Sequence, residues 1–234
     1  MPALGWYASE DPAVIRAHLD QIATVGFDFV ALDVVADSPV SWPTVDAIFR
    51  EAQERPLKLA IMLDGLYQAQ SEVKQAWVER VLRYYGNHPA YLRLEGQPLV
   101  LLYSATIDFP NPGGTIRNVY WAPTYHQAAP LDWPFWDMSP QVLLNGVVPV
   151  LPGYDDRSLG RERAMHHPRE DSLLYRNQWE RALALHPSII TVYSWNEHFE
   201  LTAIEPTQRW GDLYLRLTRC YISRAKSGVL LPCP

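Results

Sequence analysis

Two glutamates three residues apart follow an apolar run: Ser188-Ile189-Ile190-Thr191-Val192-Tyr193-Ser194-Trp195 leads into Asn196-Glu197-His198-Phe199-Glu200. On a continuing strand, Glu197 and Glu200 would point to opposite faces. If the chain bends helically instead, positions i and i+3 bring their Cβ atoms to roughly 5–6 Å, close to the carboxyl separation of retaining glycosidases. Carboxylates held that close divide into an acid and a base, the pair that cleavage of a glycosidic bond requires. By spacing alone, Glu-x-x-Glu is equally the mark of a solvated helix. Of the seven histidines, His198 is the one placed at this site; His166-His167 fall in a polar loop, and His18 sits on a helix facing away from it.

Other chemistries lack their residues. The chain has no Gly-x-Ser-x-Gly elbow and no His-x-His or His-Glu-x-x-His, so neither a metal nor another cofactor is expected. Cys220 and Cys233 have neither metal-ligand spacing nor the numbers for a disulfide framework, and they read as a stray pair of thiols.

The elements that must position the glutamates alternate strand and helix. Asp11-Pro12 opens a helix that Gly26 stops. Strands are predicted over 27–35, 57–63, 98–103, 146–151 and 188–195, with an opening strand over 4–8 and a short one over 117–121. Helices are predicted over 44–54, 71–85, 173–185 and 211–224. The Pro- and Trp-rich stretch 123–140 shows no clear pattern. This alternation specifies an α/β fold with a parallel sheet, either doubly wound or a (β/α)8 TIM barrel, here minimal or with an atypical first strand. The barrel is favoured because Tyr7-Ala8-Ser9-Glu10-Asp11 stands where an open sheet more often carries a Gly-rich phosphate loop. A length of 234 residues suits a single domain, 1–234.

In such folds the carboxyl ends of the strands form the functional face. The residues predicted there are Tyr7, Asp33, Asp64, Tyr103, Tyr154 with Asp155 and Asp156, and Asn196 and His198, beside Glu197 and Glu200. Nine Trp, thirteen Tyr and six Phe suit both a core and a sugar-binding surface, which needs flat apolar faces beside hydroxyl-bonding groups. Twenty Lys+Arg against twenty-six Asp+Glu, with the basic residues scattered, exclude a phosphate-backbone footprint, so no nucleic-acid partner is expected. No apolar run reaches the roughly 20 residues of a membrane span. The first residues lack signal-peptide features, so a cytoplasmic location is expected as written, and a secreted or periplasmic one if the amino terminus is truncated. The oligomeric state stays open.

Three motifs resemble glycoside hydrolase family 99, the endo-acting α-mannosidases, and the related barrels around it. Ser194-Trp195-Asn196-Glu197-His198-Phe199-Glu200-Leu201-Thr202-Ala203-Ile204-Glu205-Pro206 is similar to the family's Ser-Phe-Asn-Glu-Trp-His-Glu-Gly-Thr-x-Ile-Glu-Pro. Pro152-Gly153-Tyr154-Asp155-Asp156 resembles its Pro-Gly-Tyr-Asp-Asp loop, and Pro2 to Pro12 resembles Pro-x-Leu-Gly-x-Tyr-Ser-Ser-x-Asp-Pro. The resemblance implies a (β/α)8 barrel that cleaves an internal α-mannosidic bond of an oligosaccharide or polysaccharide with retention and without metal. Glu200 would then be the acid/base, and Glu197 the base on the sugar's own 2-hydroxyl, giving a 1,2-anhydro sugar. Asn196 would bind the sugar or orient Glu197, and Tyr7, Tyr103 and Tyr154 would line the cleft. The chain departs from the pattern at His198-Phe199, where the family has Trp-His, and at Leu201, where it has Gly. A glycan-binding barrel without turnover is the alternative, and a phosphate-dependent α/β enzyme has no motif to support it.

Overall fold

A computed structural model of the chain describes residues 1–103, 106–121, 131–136, 143–229 and 232–234. The chain partitions into two compact units, residues 7–120 and residues 1–6 with 121–234.

The first unit runs α1 (Pro12–Val25), β1 (Phe29–Val35), α2 (Ser41–Ala52), β2 (Lys58–Asp64), α3 (Ser71–Tyr85), β3 (Arg93–Leu94), β4 (Gln97–Tyr103) and β5 (Thr115–Trp121). Asp11 caps α1 by accepting from Ala13 N at 2.8 Å, and Gly26 ends it at φ 100°, a conformation open to glycine without a Cβ clash. Strands β1, β2, β4 and β5 pair in that order and all in parallel, with Ala31 opposite Ala60, Met62 opposite Leu101, and Leu101 opposite Arg117. Leu59 to Leu63 and Pro98 to Leu102 are buried without a break, as strands covered on both faces should be. The buried face of α3 is Lys74, Val78, Val81 and Tyr85. The sequence stripe Val73, Trp77, Val81, Tyr84 predicts a face rotated from this one. Val73 and Tyr84 are exposed because Trp77 stacks outside on Trp42, at 5.6 Å, under the Arg80 guanidinium.

The second unit contains β6 (Asp132–Trp136), β7 (Val147–Val150), β8 (Tyr154–Asp155), β9 (His166–His167), α4 (Leu173–Ala184), β10 (Ile189–Val192) and α5 (Leu213–Ser227). β7 and β10 are parallel neighbours; β8 and β9 form an antiparallel hairpin. Helices α4 and α5 meet through Trp179 stacked on Tyr221 and through Tyr175 Oη and Thr218 Oγ1 at 2.8 Å, so both helices bury aromatic faces.

Four expectations are corrected. Leu4 to Ala8 is not a strand: Gly5 N donates to Pro2 O across a turn, Gly5 sits at φ 79°, and Leu4 and Trp6 are exposed. β10 stops at Val192, three residues before Trp195, because the following backbone turns to bond with residues 202–205. β6 lies inside the stretch 123–140 that shows no pattern in sequence, whose residues 123–130 and 137–140 lie outside the described ones. Cys220 and Cys233 form a disulfide, since the tail returns to α5 and Arg176 holds the carbonyls of Cys233 and Pro234. Among the described residues, no helix is long and apolar enough to cross a membrane.

The bridge closes a segment of sequence separation 13, so reducing it or making Cys220→Ser should cost at most about 3 kcal/mol of stability in urea unfolding. Alkylation before reduction should modify neither cysteine; a modified Cys220 in the native chain would contradict the bridge.

Candidate active site

The glutamates stand on a turn, not on the strand. After β10 the chain folds over itself: Ser194 N donates to Thr202 O, Thr202 N and Ala203 N donate to Glu197 O, and Ser194 Oγ lies 2.9 Å from Thr202 Oγ1. The Glu197 carboxylate caps this turn, its Oε1 accepting from Phe199 N at 2.6 Å and Glu200 N at 3.2 Å. That capping replaces the strand's alternation and puts both acids on one bend. Leu201 follows in the left-handed region at φ 51°, where the resembling motif has glycine.

Glu200 is gripped from both sides. Its Oε2 accepts from Tyr193 Oη at 2.9 Å and its Oε1 lies 2.7 Å from Arg161 Nη1, while its side chain keeps 12% exposure. Arg161 is loop-borne and about half exposed. The same nitrogen reaches Tyr154 Oη at 2.8 Å and Asp156 Oδ2 at 3.0 Å. Asp156 is buried and tied to Met165 N at 2.6 Å, which closes the loop between β8 and β9. Burial alone would raise the Asp156 carboxyl, but the bonds from Met165 N, Arg161 and Tyr154 outweigh it and hold it below the usual range. Burial, and then the charge and hydrogen bond of Glu200, push the Tyr154 phenol above its ordinary value. Burial opposes the Arg161 charge, yet its bonds to Glu200 and Asp156 prevail and raise it.

The two neighbouring acids part here: Asp156, just past the end of β8, joins this cluster, and Asp155 does not. Tyr154 and Asp156 share one face; Asp155 points the other way, bidentate to Arg157 at 2.8 and 2.7 Å. The Arg157 bonds hold the Asp155 carboxyl down at about 2. The backbone of Asp155 still matters, since its N–H donates to Glu200 O at 2.9 Å. Arg169 braces the far side of the turn by donating to the carbonyls of Leu201 and Ala203, both at 2.7 Å, with its guanidinium 4.4 Å from the Tyr214 ring centre. Gly153 lets Arg169 pass: a Cβ there would meet Arg169 Cγ at 2.6 Å.

Of the predicted residues in this unit, Tyr154, Glu197 and Glu200 come together; Asn196 is exposed, and His198 turns its Nε2 onto buried Glu205. Tyr7, Asp33, Asp64 and Tyr103 belong to the first unit. Asp33 is exposed near the end of β1, Asp64 ends β2 and accepts from Gly65 N at 2.6 Å, Tyr103 ends β4, and the Tyr7 ring meets His18 edge-on at 5.0 Å. Sequence reasoning missed the roles of Tyr193, Arg161, Arg169 and Glu205, and nothing local marks the arginines; in sequence Asp156 reads only as one of the acids closing its strand.

The fold is that of the (β/α)8 TIM-barrel enzymes. It matches the GH99 endo-alpha-mannosidase from Bacteroides thetaiotaomicron with a TM-score of 0.80 at 18% identity, over 97% of this chain and 83% of that one. A complex of the Bacteroides enzyme with bis-tris propane matches at 0.81 and 18% identity, over 97% and 88%. Residues 1–112, just under half of the chain, match the model of glycosyl hydrolase family 99. Glycoprotein endo-alpha-1,2-mannosidase of Mus musculus is 23% identical over 92% of this chain, and that of Rattus norvegicus 26% identical over 47%. The chain spans 58% of the mouse protein and 26% of the rat protein.

Leu201→Gly should stabilise the chain by roughly 0.5–1 kcal/mol in urea unfolding, because it relieves a left-handed residue whose side chain is largely exposed. An unchanged or lower midpoint would show that Leu201 is not strained. Asp155 has a depressed carboxyl, so its pairing contributes stability that is complete above about pH 4 and lost as pH falls toward about 2. Arg157→Ala should return the Asp155 titration toward the ordinary carboxylate range in a carbon-13 NMR titration.

Proposed function

We propose that the chain is a retaining glycoside hydrolase that cleaves an internal α-linked, mannose-containing glycan. The observation that carries this is the partly exposed Glu200 carboxylate held between Tyr193 and Arg161, three residues after Glu197 on the same turn. The mannosidase names of the mouse, rat and Bacteroides proteins support the substrate class.

Glu200 protonates the departing glycosidic oxygen. Glu197 takes the proton from the 2-hydroxyl, whose oxygen attacks the anomeric carbon as the C–O bond to the leaving sugar breaks; the product is a 1,2-anhydro sugar. The Glu200 carboxylate then accepts a proton from water, the water oxygen opens the three-membered ring at the anomeric carbon, and Glu197 returns its proton to the 2-oxygen. Two inversions give net retention. Arg161 suits this cycle because one nitrogen serves both Glu200 and Asp156: it balances the Glu200 charge after proton transfer and can lean on Asp156 while Glu200 is protonated. Glu197 Oε1 is committed to the turn, so in this reading Oε2 is the atom that meets the 2-hydroxyl. Tyr154, Asp155 and His198 support the acids through the contacts described, and exposed Asn196, next to Glu197 in the chain, is assigned to the sugar in this proposal. The Cys220–Cys233 bridge supports an oxidising, exported location over a cytoplasmic one.

One observation favours the alternative, a glycan-binding barrel without turnover: both Glu200 oxygens and Glu197 Oε1 already have protein partners. Reducing-end release from α-1,2-linked mannan oligosaccharides separates the two. Glu200→Gln and Glu197→Gln should each lower kcat/KM by about 10²–10⁴-fold. A wild type that binds these glycans but releases no more than Glu200→Gln is a binding protein.

A further inference from the structure

We propose that Glu205 is a positioning residue for the glutamate pair, acting through His198. Glu205 is buried, with only 1% of its side chain exposed, and a buried carboxyl needs a partner. It finds the His198 imidazole, Oε1 against Nε2, and His198 is the residue between Glu197 and Glu200 in the chain. The backbone of Glu205 is itself anchored, its N–H donating to Trp195 O at 2.9 Å, while Ile204 N donates to Ser194 O and Trp195 O. The side-chain contact therefore ties the start of the turn to a fixed point seven residues on.

The contact acts through the backbone: holding the imidazole on Glu205 restrains the His198 Cα, and with it the path of the bend on which Glu197 and Glu200 stand. Phe199, the next residue, is 67% exposed and supplies no such anchor. Arg169 and Asp155 hold the Glu200 end of the same turn by backbone bonds, whereas on the Glu197 side His198–Glu205 is the side-chain tie that reaches a buried acid. Histidine in this position thus serves the acids rather than the sugar.

This inference rests on the hydrolase reading, and the full-length chain tests both. With α-1,2-linked mannan oligosaccharides, Glu205→Leu should lower kcat about 30-fold while KM stays within threefold, as a small misplacement of reacting groups does. Glu205→Gln, which still bonds His198, should recover to within about fivefold of wild type, and so should His198→Gln, which keeps a group able to bond Glu205. The proposal is overturned if folded Glu205→Leu keeps kcat within twofold, if its loss falls on KM alone, or if Glu205→Gln does no better. Loss beyond 30-fold in folded His198→Gln would assign His198 to the substrate and also overturn it. Should Glu205→Leu not fold, as judged by circular dichroism, the two Gln variants decide. A wild type that releases nothing ends the hydrolase reading alone; the positioning pair is then judged by the nitrogen-15 signals of the His198 ring, which must move in Glu205→Gln and refute the pair if they do not.

Discussion

The Glu200 carboxylate is held in place and its charge balanced without being sealed from solvent, and the polar contacts of the second unit's turn and hairpin converge on it. Tyr193 comes from the exit of β10, and Arg161 from the loop between β8 and β9. Arg161 is in turn shared with buried Asp156, so the loop that delivers it is anchored by a carboxylate that cannot leave without stranding a charge. Because one guanidinium nitrogen serves two acids, a change in the charge of one acid is felt by the other. The phenol of Tyr154 closes the same network, and its raised titration follows from burial beside Glu200.

The turn that carries the acids is built from backbone bonds more than from side-chain packing. Residues 194–197 and 202–205 bond to one another, Glu197 caps the bend, and Arg169 and Asp155 secure the carbonyls of residues 200, 201 and 203. The exchange of Trp-His in the family motif for His198-Phe199 here has a visible consequence. The imidazole is turned inward onto Glu205, and the aromatic ring is left outside. Leu201 keeps a left-handed conformation without being glycine, and the surrounding hydrogen bonds over-determine that conformation.

The comparisons agree with this picture at the level of fold. A TM-score of 0.80 at 18% identity means that the strand and helix framework persists where most side chains differ. The stretch matched by the family model, residues 1–112, ends before the glutamate turn, so the case for chemistry rests on the geometry of residues 154–205. The disulfide at the carboxyl end has a separate consequence, since it ties the tail to α5 beside Arg176 and makes the last residues part of the fold.

What the sequence determined by itself is the local, periodic part. Asp11-Pro12 and Gly26 bound α1, the unbroken apolar runs of β2 and β4 announce a buried parallel sheet, and the spacing of Glu197 and Glu200 singles out the turn as a candidate site. Each of these depends on neighbours a few residues away, where capping, helical period and strand alternation act. Only the tertiary structure decided that Leu4 to Ala8 is no strand, that Trp77 lies outside α3's buried face, and that Cys220 meets Cys233. It also decided that Arg161, not a neighbour in sequence, balances Glu200, 39 positions before it in the chain. Charge balance and burial are satisfied by whichever group the folded chain brings within about 3 Å, and sequence spacing carries no record of that meeting.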